Sequence, residues 1–143
     1  MTATRVLIVN IEPAKRDALR AALDKLKYRV SAFDAVAGLL YQTRPGDLAV
    51  AVIRLPSPSE EILSQLWRVR KLNPWLSIVA LLKPEAAATG FSLIQEDIVD
   101  QVTSPDNPAA IFSAIQSGLV VRRLLTTRSE SLRQLKADRK SVV

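Results

Sequence analysis

The chain reads as an α/β domain: a doubly wound parallel sheet of five strands with helices on both faces. Three features of the sequence predict it. Short apolar runs recur along the chain, helix-period segments separate them, and the connections between the two are only a few residues long. The most telling run is Leu48 to Ile53, apolar at every position and bounded by Arg44-Pro45-Gly46-Asp47 before it and Pro56-Ser57-Pro58 after it. It is too short for a helix, and its unbroken apolar character suits a strand buried on both faces. We take it as the central strand. Ligands of open α/β sheets bind beyond the carboxyl ends of such strands, so Val52 and its neighbours mark the place to look for a site.

The other elements follow in order. Arg5 to Asn10 reads as a first buried strand, and Pro13 suits the first turn of a helix that faces the core through Leu19, Leu23 and Leu26. Tyr28 to Phe33 alternates as a second strand, after which Asp34 is placed as the N-cap of a helix reaching about Gln42. Beyond the central strand, Ser59 caps a helix to about Leu72 that buries Ile62, Leu66 and Val69, and Asn73-Pro74 ends it. Leu76 to Leu82 is the fourth strand, Pro84 to about Gln95 a short helix, and Ile98 to Val102 the fifth strand. Asn107-Pro108 opens a last helix facing inward through Ile111 and Ile115. Five strands alternating with five helices give the strand order 2-1-3-4-5, the flavodoxin-like arrangement.

A chain of 143 residues, 48% hydrophobic, has material for one core and not for two domains. No segment approaches the roughly 18 apolar residues of a membrane span, and Asn10 and Glu12 come too early for a secretory signal, so no membrane association and a cytoplasmic location are expected. The absence of Cys excludes disulfides, thiolate chemistry and cysteine zinc sites; the absence of His removes imidazole acid/base work and most transition-metal sites.

The last helix does not stop where the domain should. No Gly or Pro follows Gly118, and Val121, Leu125, Arg128, Leu132, Leu135, Arg139 and Val142 keep the alternating spacing of four and three that makes a coiled-coil seam. We therefore divide the chain into a domain over 1–118 and a helical extension over 119–143. Such a seam needs a partner. A second copy of the chain, giving a homodimer, is the preferred reading; a further domain is the next, and a disordered tail would need none.

The net charge of +6 also belongs to this extension: residues 117–143 hold seven Lys and Arg against two Asp and Glu, while 1–116 are nearly neutral. Arg122, Arg123, Arg128, Arg133, Lys136, Arg139 and Lys140 could contact the phosphates of RNA or DNA. The extension has no aromatic residue for base stacking, and charged outer faces are ordinary in coiled coils, so a solvated face is preferred.

The stretch Asp47-Leu48-Ala49-Val50-Ala51-Val52-Ile53-Arg54-Leu55-Pro56 resembles the phosphoacceptor strand of response-regulator receiver domains, D-L-(apolar)3-D-(I/L)-x-(M/L)-P. The resemblance covers about residues 4–120. Val9-Asn10-Ile11-Glu12-Pro13 matches the family's V-D-D-E-P, Ile78 to Lys83 its V-I-x-L-T-A, and Ser104-Pro105 its K-P pair. It implies the receiver fold and denies the family's usual chemistry. Val52 stands at the phosphoacceptor, Asn10 and Ile11 at two metal-binding acids with Glu12 kept, Leu82 at the switch hydroxyl, Ser104 at the lysine and Gln101 at the switch aromatic. A valine offers no nucleophile, and Mg²⁺ needs hard oxygen ligands that Ile11 and Val52 lack. No metal and no cofactor are therefore expected. Val52 and Leu82 are read as core residues over a closed pocket; a small ligand held by Asn10, Glu12, Arg54 and Ser104 is the alternative. Arg54 is expected to pair with Glu12.

The order of receiver-like domain, long helix and Leu135-Lys136-Ala137-Asp138-Arg139-Lys140-Ser141-Val142-Val143 is similar to ANTAR transcription antiterminators. On that resemblance the chain corresponds to a fragment stopping at the linker, with RNA as a partner through a downstream domain. Other chemistry is weak. Gly38, Gly46, Gly90 and Gly118 form neither a P-loop nor a dinucleotide fingerprint, Lys83 and Ser104 lack an oxyanion motif, and Glu60-Glu61 and Glu96-Asp97 read as solvated faces. Trp67 and Trp75 read as packing or interface residues. An enzyme is not expected. The sequence describes a receiver-like signalling module that works without phosphorylation, through dimerisation or a protein partner.

Overall fold

The computed structural model describes residues 4–43, 49–55 and 59–120. Leu48, the proline-bounded flanks of the central strand and the extension from Val121 onward, with its seam and basic residues, lie outside them. Five strands, β1 (Arg5–Val9), β2 (Arg29–Phe33), β3 (Ala49–Arg54), β4 (Ser77–Leu81) and β5 (Gln101–Thr103), form one parallel sheet in the order 2-1-3-4-5. Helices α1 (Pro13–Lys25), α2 (Glu60–Leu72), α3 (Ala87–Gln95) and α4 (residues 108–120) cover its two faces. The boundary expected after Gly118 falls within α4, which continues through Val120. Among the described residues no helix is long and apolar enough to cross a membrane.

Alternation along the strands feeds two cores. Leu7, Val9, Ala51, Ile53, Ile78 and Ala80 point to one face and pack with Leu66 and Val69 of α2 and Leu93 of α3. Val6, Ile8, Val50, Val52, Val79 and Leu81 point to the other and meet Leu19 and Leu23 of α1 and Ile111, Ala114 and Ile115 of α4. Both faces being covered is why β3 and β4 are apolar at consecutive positions, and each fully buried Leu or Ile contributes roughly 1.5–3 kcal/mol. The edge strands β2 and β5 are only half-buried, which explains the alternation from Tyr28 to Phe33.

The helix starts are set by their caps. Ser59 accepts a hydrogen bond from the Ile62 N–H at 3.3 Å, with Glu60 and Glu61 solvent-exposed in the first turn, where the helix dipole favours them. Asn107 accepts from the Ala110 N–H at 3.1 Å and opens α4 as its position predicts.

Four expectations are corrected. The helix placed from Asp34 to Gln42 is only a 3₁₀ turn over Val36–Leu39: Ala35 is extended and offers no side-chain cap, and Gly38 lies against Phe33. Leu26 is half-exposed, because the chain reverses at Lys27 (φ 69°) and the Tyr28 N–H returns to the Leu23 carbonyl. The helix from Pro84 begins as a 3₁₀ turn, Pro84–Ala86, before α3. The fifth strand starts at Gln101 and not at Ile98: Asp97 takes a left-handed φ of 56° and the N–H groups of Ile98 and Val99 cap α3 at the Leu93 carbonyl, so these two residues bury their side chains without joining the sheet.

Candidate functional site

The backbone ladder continues just past the strand ends, with the Asn10 N–H bonded to the Phe33 carbonyl, Leu55 to Leu81 and Leu82 to Thr103, each at 3.0 Å. This fixes the carboxyl edge of the sheet and the side chains on it. Register places Val52 between Ile8 of β1 and Val79 of β4, and its side chain has no solvent exposure. Leu82 is likewise buried. The interior of this edge is hydrocarbon.

The polar groups sit above it. Asn10 adopts φ 58°, a left-handed conformation that Asn tolerates, and its Nδ2 donates to the Arg54 carbonyl at 3.2 Å. Arg54 Nη2 lies 3.4 Å from Glu12 Oε1, the pairing anticipated from the sequence, with Arg54 partly covered and Glu12 more than half exposed. Ile11 is half-buried. Ser104 turns its hydroxyl into its own loop, where it accepts from the Asp106 N–H at 3.3 Å; Lys83 is exposed. Asn10, Glu12 and Arg54 are thus brought into contact, whereas Ser104 engages a different partner and Val52 and Leu82 lie below. Gln101 opens β5 in register with Val79, which places it level with Val52 across the sheet.

The receiver resemblance implies a divalent cation here, and the residues present do not fit one. The Asn10 amide is directed at a carbonyl, Glu12 is paired with a guanidinium, and Ile11 and Val52 supply no oxygen donor. Among the described residues no three His, Cys, Asp or Glu side chains gather into a possible metal cluster.

One feature of this end has only a faint signal in the sequence. Lys15 of α1 reaches Asp106, 91 residues away, in an exposed ion pair at 3.0 Å, and beside it a cavity opens between α1 and α4. Its wall includes Ala18 and Ala22, spaced one helical turn apart; that small-residue pair is the signal that sequence reading passed over. Elsewhere Trp75 Nε1 donates to the Thr43 hydroxyl at 3.0 Å, a packing role, while Trp67 stays half-exposed with Lys71 Nζ 5.4 Å from its ring centre.

Comparison with solved structures identifies this architecture. A response regulator receiver domain from Clostridium thermocellum matches with a TM-score of 0.70 at 14% identity, covering 85% of this chain and 98% of that one. The signal receiver domain of an HD domain-containing protein from Pseudomonas fluorescens Pf-5 matches with a TM-score of 0.71 at 15% identity, covering 90% and 95%. The chain has a receiver-like fold. A structure described as adenylate cyclase from Rhodopirellula baltica has a TM-score of 0.77 at 18% identity, covering 92% and 98%. At these identities the likeness is one of fold. No protein-family model and no curated protein matches the chain.

Proposed function

We propose that this chain is a receiver-like signalling module that works without phosphorylation, the regulatory part of a bacterial response regulator or transcription antiterminator of the ANTAR kind. One observation carries the reading: the position that would accept phosphate is Val52, fully buried in hydrocarbon, while Asn10, Ile11 and Ser104 stand where two acids and the lysine would serve it and the remaining acid, Glu12, is paired with Arg54. Phosphoryl transfer needs a nucleophile and a metal ligand set, and a switch needs a hydroxyl and an ammonium to read the phosphate. With Leu82 and Ser104 in those places the signal must travel by another route. That route is partner binding, chiefly dimerisation through the seam of Val121, Leu125, Leu132 and Leu135.

Incubation of the whole chain with acetyl phosphate and Mg²⁺ tests the first part: intact mass is expected to be unchanged, and a single adduct of about 80 Da on an Asp would sink the reading. Light scattering tests the second. The chain is expected to be a dimer and Leu125→Glu/Leu132→Glu a folded monomer; a monomeric parent chain would refute the seam.

A further inference from the structure

On the sheet face that carries Val52, between α1 and α4, lies a cavity of about 260 Å³. Its existence follows from local sequence. Ala18 and Ala22 present only methyl groups where α1 would otherwise close on α4, and α4 enters over Pro105 and Pro108 before Ile111 and Phe112 reach the core. Leu19 and Leu81 complete the apolar surroundings, and Ile11 lies at the carboxyl end of β1.

Among the described residues three charged side chains reach this cavity: Lys15, Arg54 and Asp106. Lys15 and Asp106 are engaged with each other at 3.0 Å and are both well exposed, so they form a neutral rim. Arg54 remains. Its backbone is pinned by the end of β3 and by Asn10, and its guanidinium meets Glu12 only at 3.4 Å, through a carboxylate that does not line the cavity. An exposed pair of this kind is worth less than about 1 kcal/mol, so Glu12 is a weak competitor for an anion arriving from the cavity side.

We propose that this cavity binds a small monocarboxylate with an apolar body, the carboxylate on the Arg54 guanidinium and the hydrocarbon among Ala18, Ala22, Leu81 and Phe112. The volume fits such a ligand, since a dry apolar cavity of about 150 Å³ already accepts benzene and small-molecule sites begin near roughly 300 Å³. The lining fits it as well. A sugar or nucleotide would bury hydroxyls against methyl groups with no partner, at about 1–3 kcal/mol each. A planar guanidinium matches a carboxylate with two parallel hydrogen bonds and selects it over an amine. The inference stands apart from the phosphorylation-independent reading, because of the residues at the receiver-like site only Ile11 and Arg54 reach this cavity. A ligand held there contacts the first turns of α4, the helix that leads to residues 121–143.

The test is an amide ¹H–¹⁵N titration of the whole chain at neutral pH with phenylacetate and, in parallel, its neutral isostere phenylacetamide. Saturable shifts are expected along α1, at Arg54 and around Phe112, with the acid binding at least about tenfold more tightly than the amide, which corresponds to 1.4 kcal/mol. Arg54→Gln should bring the acid down to the affinity of the amide, and Ala22→Leu, checked for folding by its thermal melt, should remove binding of both. Ala18→Leu serves in its place if that variant does not fold. No saturation by the acid at millimolar concentration, equal affinity for acid and amide, or an Arg54→Gln variant that binds the acid as the parent does would each overturn the proposal.

Discussion

At the carboxyl ends of the strands the buried side chains are hydrocarbon, Val52 and Leu82 among them, and the polar groups lie in partly exposed positions above. At the amino ends the arrangement is reversed. Arg70 of α2 is buried there and donates to the carbonyls of Asp97, Ile98, Asn73 and Leu76, while its Nη2 meets the buried Asp100 carboxylate at 2.8 Å. Asp100 also accepts from the Ile78 N–H at 2.7 Å, so one ion pair ties the end of α2 to the entries of β4 and β5. Asn73 continues the network to Thr43 and, through Nδ2, to the carbonyls of Leu40 and Val69. A buried charge persists only where its surroundings satisfy it, and this sheet does so at the edge opposite the receiver-like site.

That contrast can be broken from either end. Arg70→Met leaves Asp100 buried without its cation and should cost about 3–5 kcal/mol in urea unfolding. A loss below 1 kcal/mol would show that the network does not hold the amino edge. At the other edge Val52→Asp places a carboxylate among Ile8, Val79 and Leu81, for an expected loss of about 3 kcal/mol and no gain of phosphorylation. Near-parental stability would mean that the edge is open to water.

A smaller effect is expected where α4 crosses the entry of β4. A Cβ on Gly118 would come within van der Waals overlap of Ser77 Oγ, a buried hydroxyl with no hydrogen-bond partner among the described residues. Gly118→Ala should therefore cost about 1–3 kcal/mol by overpacking, and Ser77→Ala should gain about 1 kcal/mol by removing the unsatisfied hydroxyl. The double variant should recover most of the loss, because the Cβ of residue 77 would then be 3.5 Å away; a double variant as unstable as Gly118→Ala would place the strain elsewhere. The smallest effect belongs to the carboxyl edge again. Arg54→Ala removes a partly exposed pair and should cost less than about 1 kcal/mol, and a larger loss would make this pair part of the scaffold.

Much of this could be read before the fold was seen. Apolar strands, the Ser59 and Asn107 caps and the hydrocarbon at Val52 and Leu82 are local facts, because each depends on a residue and its immediate neighbours. The Arg54–Glu12 pair was also legible, since topology brings the ends of β1 and β3 side by side. The boundaries of β5 and the turn after Asp34 were not, because they turn on where a left-handed Asp97 and an uncapped Ala35 end regular structure. Nor was Arg70 singled out: an arginine on a helix ordinarily lies in water, and only the turn carbonyls and Asp100 gathered around it make its burial affordable.

The sequence by itself determined the sheet, its strand order and the residue types that stand at the receiver-like positions, because periodicity and residue type are written in the chain itself. The tertiary structure alone decided the cavity between α1 and α4 and the buried network at the amino edge. Each joins side chains dozens of residues apart, Lys15 with Asp106 and Arg70 with Asp100, and such distances are closed only when the helices pack.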